Sequence, residues 1–148
     1  MKKENIEVGF SLQNIKTEQF AIFEENFNPK KEAEFSTEME FKLDTINKQI
    51  GVYLNFEFIN VKKVFLKIKV SCHFVIKEES WKLFLQVSPS KIIIPKGFIQ
   101  HLAMITTGTT RGVLFAKTEG TLFSKFIIPT LNIVDMFKED ATFEITND

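Results

Sequence analysis

Large apolar residues recur at every second position through the first half of this chain. Phe35, Thr37, Met39, Phe41 and Leu43 alternate with Glu34, Ser36, Glu38, Glu40, Lys42 and Asp44. Val52, Leu54, Phe56 and Phe58 repeat the pattern, and Val64, Leu66, Ile68, Val70, Cys72 and Phe74 extend it. A period of two sends successive side chains to opposite faces, so these segments predict half-buried antiparallel strands. A first strand over about 6–15 carries Ile6, Val8, Phe10 and Leu12 on one face and resumes at 19–23. Residues 24–32 predict a loop, because Pro29 has no N–H to give a ladder. Strand two covers 34–45, strand three 50–59 and strand four 63–76. The links at 45–49 and 60–63 are short, which favours an antiparallel meander.

From Pro95 the period changes. Phe98, Leu102, Ile105, Thr109, Gly112, Val113 and Ala116 fall at three- and four-residue spacing, which predicts one helix over 96–118. Pro95 suits its start and Gly120 its end. The middle, Thr106 to Gly112, is poor helix material, so a broken helix or a loop is the competing expectation. If the helix holds, Gly108 and Gly112, one turn apart, flatten a side on which another backbone packs. That side, with Ile105 and Thr109, is the candidate oligomer interface. Residues 121–132 predict an apolar connection stiffened by Pro129, and 133–137 a short second helix. Beyond it, 138–145 alternates more like a strand than a helix. The fold class expected is α+β: a four-stranded antiparallel sheet, a long helix and a short C-terminal helix, in one domain over 1–148.

Composition sharpens this picture. Seventeen of 148 residues are Phe, more apolar surface than a domain this small needs. Either all of them are core, or some line a groove that receives another apolar chain. The single cysteine, Cys72, excludes an internal disulfide and suits a reducing compartment. No stretch approaches the ~20 apolar residues of a membrane span, and Glu4 interrupts any signal-peptide core. The expectation is a soluble, cytoplasmic protein. Formal net charge is zero, which gives no global field for nucleic acid or anionic lipid. Lys63, Phe65, Lys67, Lys69 and His73 share one predicted strand face, but a solvated face whose lysines discourage aggregation explains them better than a nucleic-acid platform.

Candidate chemistry is sparse. Cys72 and His73 are neighbours on a strand, point to opposite faces and cannot share a ligand. His101 is the only other histidine and reads as a packed helix residue. Gly108-Thr-Thr-Arg-Gly112 lacks the spacing and the lysine of a phosphate loop. Glu24-Glu25 and Glu78-Glu79 read as solvated turn residues. No catalytic constellation, metal site or cofactor is expected, and the chain does not read as an enzyme.

Phe10-Ser-Leu-Gln13-Asn-Ile15-Lys-Thr17, the segment Phe41-Lys-Leu-Asp44-Thr45, and the block from His101 through Arg111 and Pro129 to Asn132 and Phe137 resemble the SecB family of export chaperones. The resemblance spans about 8–138, and the run from Thr109 to Glu119 is similar to a divergent branch. It implies an ATP-independent holdase that binds unfolded polypeptides in apolar grooves and assembles as a dimer of dimers. It implies a client groove at Met39, Phe41, Leu43, Phe123, Ile133, Met136 and Phe137. The residues themselves add Phe27, Phe126 and Ile128, since loops rarely carry aromatic and large apolar side chains without a reason. The family docks on the translocase motor SecA through carboxylates, and Gln19, Phe23 and Lys67-Ile68 stand at the nearest positions here. The holding role therefore carries over better than the SecA partnership. A dedicated partner on the same fold, an antitoxin guardian or assembly adaptor, is the alternative. A hot-dog thioesterase fits poorly: its helix follows the first strand and carries an acid, whereas 97–116 holds none.

Overall fold

The computed structural model describes residues 8–85 and 90–145. Four antiparallel strands, β1 (Phe10–Ile22), β2 (Glu34–Asp44), β3 (Gln49–Asn60) and β4 (Lys63–Ile76), form a sheet in the order β1-β4-β3-β2. The alternation places Val52, Leu54, Phe56, Leu66, Ile68, Val70, Cys72 and Phe74 on one buried face. The expected α+β class and the meander of strands two to four hold.

β1 is one unbroken strand, where two pieces were expected. Its register slips between Leu12 and Asn14 and again between Thr17 and Gln19. Each slip is a bulge that adds one residue and resets the alternation. Phe10, Leu12, Ile15, Thr17, Phe20 and Ile22 thereby all stand opposite buried-face residues of β4, from Ile76 down to Leu66. Their spacing of two, three, two, three and two hides this strand from a strict period-two reading. Ile6 lies outside the described residues.

The long helix α2 (Lys96–Thr118) is unbroken. The backbone N–H groups of Phe98 and Ile99 donate to the Pro95 carbonyl at its start. The helical path ends at Glu119, whose backbone is extended (φ −54°, ψ 134°), and Gly120, at φ +81°, supplies the left-handed position of the turn that the Thr121 N–H closes on the Thr118 carbonyl. Its threonines are tolerable because each hydroxyl has an acceptor one turn back. Thr106, Thr107, Thr109 and Thr110 donate to the carbonyls of Leu102, Ala103, Ile105 and Thr106 at 2.7–2.8 Å. A back-bonded hydroxyl satisfies itself locally, so Thr106, Thr107 and Thr110 pack buried against the sheet. Gly112 and Ala116, expected on the packed stripe, are exposed instead.

Two further elements were not foreseen between strand four and Pro95. Glu78 and Glu79 open a helix, α1 (Glu78–Phe84), and do not sit in a turn. Acids suit a helix N-terminus, and Trp81 and Phe84 are buried beneath it. β5 (Lys91–Ile94) pairs antiparallel with β6 (Ala141–Glu144), with Ile92 opposite Phe143 and Ile94 opposite Ala141. A short helix α3 (Ile133–Met136) precedes β6, as expected.

The core has two centres. One gathers Phe74, Trp81, Phe84, Ile92, Ile94, Phe98 and Ile99 under the start of α2. The other gathers Phe56, Phe58, Phe65, Leu66, Leu114, Phe123 and Ile128 near its end. Phe65 belongs to the second and is fully buried. The face it was expected to share with Lys67 and Lys69 is broken by a register shift of β3 against β4 after Phe58. Its ring meets those of Phe27, Phe58, Phe123 and Phe126 at 4.9–6.3 Å. Phe65→Ala should lower unfolding free energy by about 3–5 kcal/mol in denaturant titration. A loss below about 1 kcal/mol would show that the four rings close over the vacancy.

Candidate functional site

The side of the sheet that carries α2 holds an apolar groove. Its first wall is β2, whose Phe35, Thr37, Met39, Phe41 and Leu43 stand opposite Phe58, Phe56, Leu54, Val52 and Ile50. β2 is a terminal strand of the sheet, so these side chains are only partly covered, and Phe35 is 51 % exposed. Phe35 stacks on Phe56 at 5.2 Å. The second wall is the segment that follows α2. Phe126 packs on Phe58 at 5.5 Å, and Phe137 meets Phe41 edge-on at 5.4 Å. Residues 126–137 therefore run beside β2 from its Phe35 end to its Phe41 end.

That second wall is held by one cation. Arg111 of α2 donates from Nε to the Ile128 carbonyl at 2.7 Å and from a terminal nitrogen to the Pro129 carbonyl at 2.9 Å. Hydrogen bonds from a charged donor contribute about 1.5–3 kcal/mol, and the planar fork fixes two consecutive carbonyls at once. Gln100 adds a 2.7 Å bond to the Phe137 carbonyl. Asn132 caps α3 by accepting from the Asp135 N–H. Between Phe41 and the segment lies a cavity of about 430 Å³ lined by Ile99, Asp135, Met136, Phe137, Lys138, Glu139 and Ala141.

The ten candidate groove residues divide in three. Met39, Phe41, Leu43, Met136 and Phe137 reach the groove with surface to spare, and Met136 is among the exposed apolar side chains. Phe123, Ile128 and Ile133 are only 2 %, 1 % and 5 % exposed. In this conformation they support the wall from behind and offer no surface. Phe27 and Phe126 are half-buried on Phe65 and Phe123. The loop around Phe27 is tied down by asparagines: Asn26 donates to the Val64 carbonyl, and Asn60 bridges the Asn28 N–H and the Glu32 carbonyl. Phe35 was not singled out in the sequence, although its place in the β2 alternation marks it.

The candidate oligomer interface faces outward. A side chain at Gly108 or Gly112 would meet nothing of this chain within 4 Å. Around them Met104 and Phe115 are exposed, and Ile105 and Thr109 are half-buried. Leu12 and Ile15 of β1 are exposed on the same side of the sheet.

The opposite face of the sheet is polar. Ser71 donates to Glu18 at 2.7 Å, and its oxygen lies 2.9 Å from Nε2 of His73. The hydroxyl has one proton and gives it to the carboxylate, so His73 donates to Ser71. That order, His to Ser to Glu, differs from the triad arrangement, in which the serine donates to the histidine. Tyr53 packs edge-on against His73 at 5.7 Å, with Lys42 4.6 Å above its ring. Gly51 permits this, because a Cβ there would lie 3.0 Å from the Tyr53 ring and 3.3 Å from His73. Cys72 lies beneath α2, away from His73, and burial raises its thiol pKa. No group of three or more His, Cys, Asp or Glu capable of holding a metal occurs among the described residues. No described helix is long and apolar enough to cross a membrane.

No protein-family model and no curated protein matches the chain. Among solved structures it is similar to the Mycobacterium tuberculosis Rv1957 SecB-like chaperone in complex with a ChAD peptide from the Rv1956 HigA1 antitoxin. The TM-score is 0.47 and the identity 11 %, over 82 % of this chain and 90 % of that one.

Burial, with Lys16 nearby, holds His73 below its ordinary pKa of 6.5 against the pull of Glu18. A histidine whose pKa is lower folded than unfolded costs stability when it must be protonated. Stability should be full above about pH 6.5 and decline as pH falls through the window just below it. Asp44 and Glu78, whose pKa values are held down by hydrogen bonds from Asn47 and Lys48, contribute only to a later loss at more acidic pH. Thermal melts across pH 5–7 should show the first decline in the parent and not in His73→Gln. The same decline in both would assign it elsewhere.

Proposed function

We propose that this chain is an ATP-independent holdase that retains unfolded polypeptide segments in the groove between β2 and residues 126–137. The observation that carries the reading is an apolar wall, Phe35 to Leu43, left partly open beside a second wall pinned in place by Arg111. Burying one Phe contributes roughly 1.5–3 kcal/mol, so a row of such contacts holds a chain without reading its sequence. The resemblance of the 8–138 segment to the SecB family points the same way. Nothing in the reading requires chemistry, a metal or a cofactor, and the chain is proposed as a binding protein and not an enzyme. A single buried thiol fits a cytoplasmic location.

The reading includes self-association. The uncharged outer face of α2 at Ile105, Gly108, Thr109 and Gly112 suits a second copy, because small residues let backbones approach closely. Leu12 and Ile15 on β1 extend the apolar surface, and β1 is the sheet's other terminal strand. A dimer of dimers uses both surfaces. A partnership with SecA is a weaker part of the proposal, since Gln19, Phe23 and Lys67 supply no carboxylate.

Fluorescence titration with a chemically unfolded, labelled polypeptide tests the reading. Micromolar or tighter binding to the unfolded form alone is expected. Phe41→Asp and Phe137→Asp should each weaken it at least tenfold, with circular dichroism and elution volume unchanged. Retained affinity in both variants would remove the groove assignment. Indifference to several unfolded chains would move the reading to a dedicated partner, an antitoxin or an assembly client.

A further inference from the structure

The last described strand carries inside the chain the kind of segment that the groove would receive from outside. Ala141, Phe143 and Ile145 alternate with Thr142 and Glu144, and all three apolar side chains pack half-buried against the core under the start of α2. Side chains of β2 stand across two cavities from them. Ala141 lines the cavity of about 430 Å³ together with Phe41. Phe143, Glu144 and Ile145 line a second one of about 280 Å³ with Leu43, Thr45 and Ile92. β6 therefore borders the far end of the groove.

Little holds it there. Its backbone pairs with β5 alone, in a ribbon of two four-residue strands, and a lone pair of strands is marginal without packing. The other fixings are two hydrogen bonds. The Ile145 N–H donates to the Ser90 carbonyl at 2.8 Å, and the Asp140 carboxylate accepts from the Lys96 N–H at 2.9 Å. Pro95 offers α2 no side-chain cap, so Asp140, at the entrance to β6, caps the helix instead. Ile92 and Ile94, opposite Phe143 and Ala141 on β5, are completely buried. With β6 lifted away, they and the β5 edge extend the apolar groove and offer backbone groups to another extended segment.

Resting on the holdase reading above, we propose that β6 is an autoinhibitory strap, which closes the far end of the groove in the free protein and leaves β5 when an unfolded chain binds. The closed form keeps Ile92 and Ile94 out of water until another apolar segment is there to cover them. Affinity then reports the difference between client and strap, because the competent form is only a fraction of the free protein.

A crosslink in the full chain tests this. Ile93 and Thr142 stand opposite each other on the outer face of the ribbon. Bonded and non-bonded pairs alternate along an antiparallel ribbon, and the Ile145–Ser90 bond makes theirs a non-bonded pair, with Cα atoms about 4.5 Å apart. A disulfide spans that separation, and Cys72 is buried away from it. The Ile93→Cys, Thr142→Cys double variant should bind a chemically unfolded, labelled polypeptide like the parent when reduced, and at least tenfold more weakly when oxidised. Equal or tighter binding by the oxidised form would overturn the strap. Amide hydrogen exchange of the parent gives a second reading without any substitution. Exchange at 141–145 should quicken when the unfolded polypeptide is bound, and unchanged or slower exchange there would overturn the displacement. If the parent binds the polypeptide while the lock has no effect, only this proposal falls. If the parent does not bind it, the holdase reading falls and takes the strap with it.

Discussion

A single helix is narrower than the sheet it covers. Four strands about 4.8 Å apart put the outer two roughly 14 Å apart, while a helix with its side chains is about 10–12 Å across. α2 lies over β4 and β3, and the buried residues of those two strands are almost completely excluded from solvent. The apolar sides of β1 and β2 are left over. On β1 the remainder is Leu12 and Ile15; on β2 it is the row from Phe35 to Leu43. Both functional surfaces proposed for the chain are consequences of this mismatch in width.

The two leftovers are treated differently by the chain. Beside β2, the segment after α2 folds back, and Arg111 fixes its path at Ile128 and Pro129. The segment covers part of the row and leaves the rest as an open groove. Beside β1 no described element does the same. The outer face of α2 joins β1 there in one apolar surface around glycines that nothing in this chain needs. One leftover is thus a groove with a built wall, and the other a broad open face.

Strands two to four were legible because a sheet buried on one face must alternate, and the observed β4 spans the range its pattern predicts. β1 was half legible. Its bulges at Gln13 and Glu18 shift the phase twice, and no residue type announces a bulge. α2 was legible from Pro95 and Gly120, but its buried stripe was not, since hydropathy scores Thr106, Thr107 and Thr110 as polar while back-bonding makes them packable. α1 and β5 were missed for want of length: seven and four residues are too few to establish a period. Within the groove, Met39, Phe41 and Leu43 came from the resemblance, and the pattern on β2 placed them on one face. It could not say that Phe123 and Ile128 turn inward, because the direction of a loop side chain depends on tertiary contacts such as the Arg111 fork.

The opposite face of the sheet differs from the groove in what lines it. On it Lys67 faces Glu57, with an ion pair at 3.4 Å, and Lys42 lies over the Tyr53 ring. Ser71, the one buried hydroxyl on that face, is already committed to Glu18 and His73. A cavity of about 420 Å³ on this face is lined mainly by polar side chains, among them Glu38, Glu40, Asn55 and Lys69. The apolar side chains left open lie mostly on the side that carries α2. There the free energy available is that of apolar burial, which grows with the number of side chains engaged and depends little on their identity.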